Sequence, residues 1–294
     1  MNALIIAPLG LIVVLAVLSL KFRAWQKVSL YVVLLALAFV MIMPFYMMFI
    51  MATLPTSKIY SYPPILWFGS NLVANFTRMT SAINFPRAFL NSSIVTISNT
   101  AMVLLFCSMG GYAFAVHNFP FKRQLFTVLL VTMMIPGTAG IIPWFWLMSK
   151  FGWLNSFKAL IIPSAANAFG IFWMRQYCLR NVSSSILDAA RIDGCSEWTI
   201  FFRVVTPVIL PAYASLGIMQ FVNVWNDFMM PMMILRRVPL QTLPVLLRTM
   251  VGDRGTDYGA LMLASACVVL PLLAVFLSAS KFFMSGLTAG ALKE

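Results

Sequence analysis

Six apolar blocks, each about as long as a membrane is thick, constrain this chain more than anything else in it: Leu30–Leu54, Asn91–Ala115, Leu125–Met148, Ala159–Cys178, Pro207–Leu235 and Tyr258–Phe283. A helix needs about 20 apolar residues to cross the ~30 Å hydrocarbon core. Inside that core every backbone N–H and C=O must find its partner within the protein. The blocks predict an all-α membrane protein with a six-helix core. A soluble fold is excluded, because only 9% of the residues are charged, where a soluble domain carries roughly a quarter. Pro44, Pro136, Pro143 and Pro163 fall inside the blocks. In a bundle whose neighbours re-satisfy the freed carbonyls, they read as kinks that open space between helices.

Ahead of the blocks stands MNALIIAPLGLIVVLAVLSLKF. Its start has no positive charge and no small-residue cleavage pattern follows, unlike a secretory signal. Lys21, Arg23 and Lys27 come after the apolar run, which predicts an extra N-terminal transmembrane helix whose C-terminal end is cytoplasmic. The chain then divides into residues 1–28, the extra helix and a basic loop; 29–283, a transmembrane domain with a polar loop at about 181–206; and 284–294, a cytoplasmic tail bent at Gly286 and Gly290.

Composition removes several function classes. The formal charge is +13, yet Lys and Arg are scattered through short loops. That distribution fits topology and contact with anionic membrane lipid, and gives a nucleic acid no basic domain to bind. Cys107, Cys178, Cys195 and Cys267 form no C-x-x-C pair, and His117 is the sole histidine. Neither a disulfide framework nor a metal site is expected, and His117 reads as a loop residue near the bilayer surface. Without H-E-x-x-H, G-x-S-x-G or an acidic pair within a span, no catalytic residue is expected. The alternative to be weighed is a proton- or ion-coupled secondary transporter of small polar solutes. Such carriers commonly show internal repeats and several buried ionisable groups; here no repeat is visible and Asp227 is the one convincing buried acid.

One passage breaks the apolar pattern: SSSILDAARIDGCSEWTIFFRVVTPVILP, from Ser183 to Pro211, which holds Asp188, Asp193 and Glu197 out of seven acidic residues in the chain. Ser185 and Asp188 have the spacing of an S-x-x-D capping box, so a short helix is expected to start near Ile186. Gly194 should end it in the left-handed conformation, and Ser196 can cap a second helix. There Trp198, Phe201, Phe202 and Val205 fall at i, i+3, i+4 and i+7, one apolar face. Ala189 and Ala190 leave a low, smooth surface, and Pro207 and Pro211 return the chain to the bilayer.

This passage resembles the "EAA" motif of the membrane subunits of binding-protein-dependent ABC importers: Glu-Ala-Ala, three residues, Gly, nine residues, Ile, one residue, Leu-Pro. Here it reads Asp188-Ala189-Ala190, Gly194, Val204 and Thr206-Pro207. Thr206 departs from the family's Leu and weakens the apolar contact at that corner. RAFLNSSIVTISNT from Arg87, MMIPGTAGIIPWFWLM from Met133, FWMRQY from Phe172, VWNDFMMP from Val224 and FFMSGLTAGALKE from Phe282 are similar to the carbohydrate branch, the maltose-type second permease. The resemblance runs from about Leu30 to the C-terminus.

The resemblance implies a multi-pass protein of the bacterial inner membrane that forms half of a pathway for a sugar or oligosaccharide. Asp188, Ala189, Ala190, Arg191, Asp193, Gly194 and Pro207 would form the coupling elbow that docks on a cytoplasmic ATPase. No G-x-x-x-x-G-K-[ST] phosphate loop is present, so the implied ATP and Mg belong to two separate ATPase subunits. A second homologous permease and an extracytoplasmic solute-binding protein complete the implied partners. The Arg236–Asp257 loop, long enough to project, is the candidate contact for that binding protein through Arg236, Arg237, Arg248 and Arg254. Asp227 lies inside the fifth block, about 10 Å from its outer end at ~1.5 Å per residue. With Trp225 and Asn226 it is a candidate for the pathway or for a structural polar network. Arg175 reads as an anchor whose charge snorkels to the surface.

Overall fold

The computed structural model describes residues 23–252 and 255–291, with side chains for 27–252 and 255–278. The extra helix expected over 1–22, Arg254 and the last residues of the tail lie outside the described residues. All regular structure among the described residues is helical. The longer helices are α1 (Arg23–Met51), α2 (Leu72–Ala82), α3 (Phe85–Val116), α4 (Lys122–Met133), α5 (Ile141–Lys150), α6 (Ala168–Asn181), α7 (Ser184–Ile192), α8 (Leu210–Trp225), α9 (Met229–Ile234), α10 (Leu243–Thr249) and α11 (Tyr258–Ala291).

Helices α1, α3 and α11 are each long and apolar enough to cross a membrane, and α1 and α11 contain Pro44 and Pro271 without breaking. Two more blocks are bent pairs. The block around α4 turns by 93° into Gly137–Lys150, and Glu197–Val208 turns by 79° into α8. Proline marks both corners. Ile135, before Pro136, is out of helical geometry, and a 3₁₀ turn follows at Gly137–Gly140. At the second corner the chain leaves helical geometry at Ile209, and Pro211 sits in the first turn of α8, where its missing N–H is tolerated. The Ala159–Cys178 block is built in two pieces, a single turn at Lys158–Ile161 and then α6. The chain breaks at Pro163 and restarts where Asn167 Oδ1 accepts the Gly170 N–H at 2.7 Å.

Two expected boundaries move. Arg23 to Val28, expected in a basic loop, form the first turns of α1. The tail expected to bend at Gly286 and Gly290 continues as helix to Ala291.

The described chain divides into two compact units. In the first, which contains Arg23–Arg78 and Asp257–Ala266, α1 presents most of its length outward and buries only its end, at Ile50, Ala52 and Leu54. The carbonyls left open at a helix C-terminus need donors. Fully buried Asn75 supplies them, giving Nδ2 to Ala52 O at 2.7 Å and Leu54 O at 3.0 Å. Beside it Asp257 caps α11: Oδ1 accepts from Thr56 Oγ1 at 2.7 Å and Ala260 N at 3.1 Å, while Oδ2 pairs with Arg78 Nε at 2.6 Å.

In the second unit α3 is the central helix and packs most extensively along α6. Glycine makes that approach possible. A Cβ on Gly111 would stand 2.5 Å from Met174 Cβ, and one on Gly170 would stand 2.6 Å from Cys107 Sγ. Small residues at a crossing let membrane helices gain dispersion contacts, where lipid leaves little hydrophobic drive between them. Val103, Cys107, Met174, Ile200, Val205 and Leu216 form the surrounding core.

Candidate functional site

The polar passage folds as an anchored elbow. Helix α7 begins at Ser184 with Ser183 in the N-cap place, two residues before the expected start. The box expected from Ser185 and Asp188 does not close, because the Ser183 and Ser185 hydroxyls bond to each other at 3.1 Å and Asp188 Oδ1 takes Arg191 Nη1 at 3.1 Å. An ionised pair outcompetes a neutral cap on such an exposed turn. Leu187 and Ala190 are buried in the core, so the smooth outward surface expected from two alanines belongs to Ala189 alone. Ala190 instead lets α7 lie close against the bundle.

The end of α7 matches the sequence reading. Gly194 has φ +77°, its N–H reaches Arg191 O at 3.0 Å, and Cys195 N reaches Ala190 O at 3.0 Å. This is the Schellman pattern, in which the glycine position needs the left-handed region. Ser196 Oγ then accepts Thr199 N at 3.3 Å. The next turns are π-helical over Ile200–Val205, and this splits the expected apolar face. Phe201 and Val205 are buried, while Trp198 and Phe202 stack on each other outside, with centroids 6.3 Å apart. The wider π turn rotates the two pairs onto different sides. Thr206, the departure from the family motif, gives its hydroxyl to Phe201 O at 2.9 Å and so satisfies a carbonyl of that turn; Pro207 follows it, exposed.

Sequence reasoning missed what holds the elbow. Glu197 Oε1 accepts Arg191 Nε at 3.0 Å, and its Oε2 accepts the Tyr112 hydroxyl at 3.3 Å and faces His117 Nε2 at 3.6 Å. His117 lies in the loop, as expected, as the first residue past α3, and meets Tyr112 edge to face. Ile192 was also missed: at 86% exposure it is the most outward large apolar side chain of α7, beside exposed Asp188, Ala189 and Asp193. Arg175 is held within the bundle, donating Nε to Phe114 O at 3.2 Å with its guanidinium 4.0 Å above the Phe126 ring.

At the far end of α8 the polar string separates. Trp225 is buried, stacks on Phe221 and donates Nε1 to Val268 O at 3.1 Å. Exposed Asn226 returns Nδ2 to Val222 O at 2.9 Å. Asp227 alone of the three lines a cavity of about 290 Å³ between α3, α8, α9 and the broken α5–α6 region, where its Oδ1 accepts Met230 N at 3.3 Å. A polar chain crosses the cavity wall: Gln220 Nε2 donates to Asn99 Oδ1 at 2.7 Å, and Asn99 donates to Leu160 O at 3.0 Å.

The 236–252 stretch does not project. Leu243, Val245 and Leu246 are buried, and α3 grips its backbone: Arg87 Nε donates to Pro239 O at 2.8 Å, Asn91 Nδ2 to Pro239 O and Gln241 O at 3.0 Å each, and Ser92 Oγ accepts Leu243 N at 2.8 Å. Its apolar side chains make folding back favourable. Arg236 lies 5.3 Å over the Phe145 ring, Arg237 gives its backbone N–H to Asn155 Oδ1 at 3.0 Å, and Arg248 Nη1 donates to Val251 O at 3.0 Å. Among the described residues no cluster of three or more His, Cys, Asp or Glu comes together.

Comparison with known proteins accounts for this arrangement. Residues 107–287 match the family model described as binding-protein-dependent transport system inner membrane component. The chain is 33% identical to the arabinooligosaccharides transport system permease protein AraQ of Bacillus subtilis (strain 168), over 92% of this chain and 99% of that one. It is 33% identical to the lactose transport system permease protein LacG of Rhizobium radiobacter, over 87% and 93%. With the sn-glycerol-3-phosphate transport system permease protein UgpE of Escherichia coli (strain K12) it shares 26% identity, over 90% and 97%. The fold matches a chain in the crystal structure of a bacterial ABC transporter involved in the import of the acidic polysaccharide alginate, with a TM-score of 0.79 at 22% identity, over 90% of this chain and 99% of that one. An anchored elbow, a bundle of broken spans and a family match over most of the chain lead to one assignment: the protein belongs to the multi-pass inner-membrane permease components of binding-protein-dependent ABC transport systems.

Proposed function

We propose that this chain is a non-catalytic permease subunit forming half of an ATP-driven import path for a sugar or oligosaccharide, and that a separate ATPase grips it at Asp188–Gly194. The observation that carries the reading is the elbow itself. α7 is pinned from within by Leu187 and Ala190, and turned by Gly194. It offers Asp188, Ala189 and Ile192 outward. An exposed apolar anchor ringed by charge has the make-up of a protein contact. The sugar class is supported by two relatives named for arabinooligosaccharides and lactose. A second permease, two ATPase subunits holding ATP and Mg, and an extracytoplasmic solute-binding protein complete the proposed assembly.

Gentle detergent purification from native membranes, followed by mass spectrometry of what accompanies the chain, tests this. Recovery of a phosphate-loop ATPase and a second permease is expected. Recovery of this chain alone, as a transport-competent homo-oligomer, would overturn the reading in favour of a secondary carrier.

A further inference from the structure

The cavity beside Asp227 holds polar groups that the packing of the bundle leaves unused. Thr96 Oγ1 and Thr242 Oγ1 are buried on it without hydrogen-bond partners, in residues only 1% and 4% exposed. A buried hydroxyl left unpaired destabilises the fold. Thr96, inside α3, does not bond a carbonyl one turn back, and Thr242, in the N-cap place of α10, makes no capping bond. Two such hydroxyls on one cavity point to something that enters it.

Ser92, Asn99 and Ser164 on the lining are already bonded within the protein, but three other polar residues keep hydrogen-bonding capacity to spare. Gln220 gives one N–H to Asn99 and keeps its carbonyl and second N–H, as the amide inventory requires. Asn223 lines the cavity and is exposed on a membrane-spanning helix, a position that polar side chains take when they face a route or a partner rather than lipid. Asp227 has acceptor sites beyond the one used by Met230. Trp144 adds an aromatic wall. Donors and acceptors are therefore mixed around a flat apolar surface, the complement of a ring carrying hydroxyls. A volume of about 290 Å³ lies at the lower edge of small-ligand pockets and suits a single sugar ring. The lining includes one carboxylate and no lysine or arginine, so an anionic ring would meet like charge without a counter-ion, a feature that rejects as well as selects.

We propose that this cavity binds one neutral monosaccharide unit of the transported solute, with Asn223 and Asp227 at its rim and Thr96 and Thr242 at its floor. The proposal rests on the reading of the chain as half of a sugar path and adds where, and with what charge, the sugar is held.

Titration calorimetry on the complete permease–ATPase complex in nanodiscs, without the solute-binding protein, tests it. The probes are lactose and arabinotriose as neutral sugars, and sn-glycerol 3-phosphate and a mannuronate trimer as anions. Binding of a neutral probe and no binding of either anion is expected. In the Thr96→Val, Thr242→Val double variant the dissociation constant should rise about fivefold for each hydroxyl removed. Its melting temperature should hold or rise, because valine fills the same space without an unpaired hydroxyl. An unchanged dissociation constant in that variant assigns the hydroxyls to trapped water and overturns the proposal. Failure of every neutral probe to bind, or binding of an anion in their place, overturns it too. Loss of the ATPase on purification, which would sink the broader reading, is scored before any probe is added.

Discussion

Arg191 and Glu197 meet at 3.0 Å across the Gly194 turn, so a charged pair closes the elbow that the backbone bends. The other Glu197 oxygen faces Tyr112 and His117 at the end of α3. The elbow is thereby tied to the longest helix of its unit, and if the elbow is the proposed docking surface, this tie is where coupling can be cut without unfolding the protein.

Glu197→Gln removes the charge and keeps the shape. Exposed ion pairs stabilise a fold by only about 0–1 kcal/mol, so the variant should reach the membrane in normal amounts. Solute imported per ATP hydrolysed should fall several-fold in proteoliposomes, and the swap Arg191→Glu with Glu197→Arg should recover part of it. A stoichiometry equal to wild type in Glu197→Gln would show the tie to be idle.

At Gly194 the obstacle to a side chain is conformational, since no atom lies within 4 Å of where its Cβ would be. A left-handed backbone costs an ordinary L-residue about 1–2 kcal/mol, and asparagine less. Gly194→Val should therefore co-purify poorly with the ATPase, while Gly194→Asn should retain most of the association. Equal recovery of both would mean that the φ of this residue does not matter to docking.

Gly111 faces the opposite constraint, because a Cβ there would collide with Met174 Cβ at 2.5 Å and Arg175 N at 2.7 Å. Gly111→Ala should cost about 1–3 kcal/mol by overpacking and lower the melting temperature of the purified protein. Gly137→Ala, with nothing within 4 Å, is the matched control and should melt close to wild type.

Asp257 predicts an acid sensitivity. Burial pulls its carboxyl upward, but hydrogen bonds from Thr56 and Ala260 and the Arg78 guanidinium outweigh burial and hold it below the ordinary aspartate value of 3.8. A group whose folded value is depressed stabilises the fold fully above the unfolded value, and that share is lost as pH falls through the folded one. Wild type should lose stability below about pH 4, in a step that Asp257→Ala lacks. At neutral pH Asp257→Ala should already be less stable by about 1 kcal/mol from the lost cap. Parallel pH–melting curves for the two proteins would count against this assignment.

How much of this could be read beforehand depended on range. Gly194 and Ser196 were legible because a cap is decided by the residue itself and its near neighbours. The bends near Pro136 and Pro211 had visible markers, although nothing local said that Pro163 would split a block while Pro44 and Pro271 would leave theirs continuous; neighbouring helices decide that. The Ser185–Asp188 box failed because a charged partner three residues on, Arg191, offered Asp188 a better bond. Glu197 and Tyr112 lie 85 residues apart, so their meeting could not be inferred from spacing. The 236–252 stretch looked free to project, and only the donors of Arg87 and Asn91, about 150 residues earlier, explain why it stays folded down.

The glycine seam between α3 and α6 has a further consequence. Asn99, on the cavity wall, and Tyr112, at the elbow, sit on one continuous helix, 13 residues and about 20 Å apart. Along that stretch Gly111 lies against the backbone of α6 at Met174 and Arg175, and Gly110 against the Ile171 side chain. A helix braced in this way is expected to act as a beam, so that a push at one end reaches the other as tilt. A force delivered at the elbow should therefore reshape the cavity through lever mechanics, and softening the seam should decouple the two ends even where both remain chemically intact.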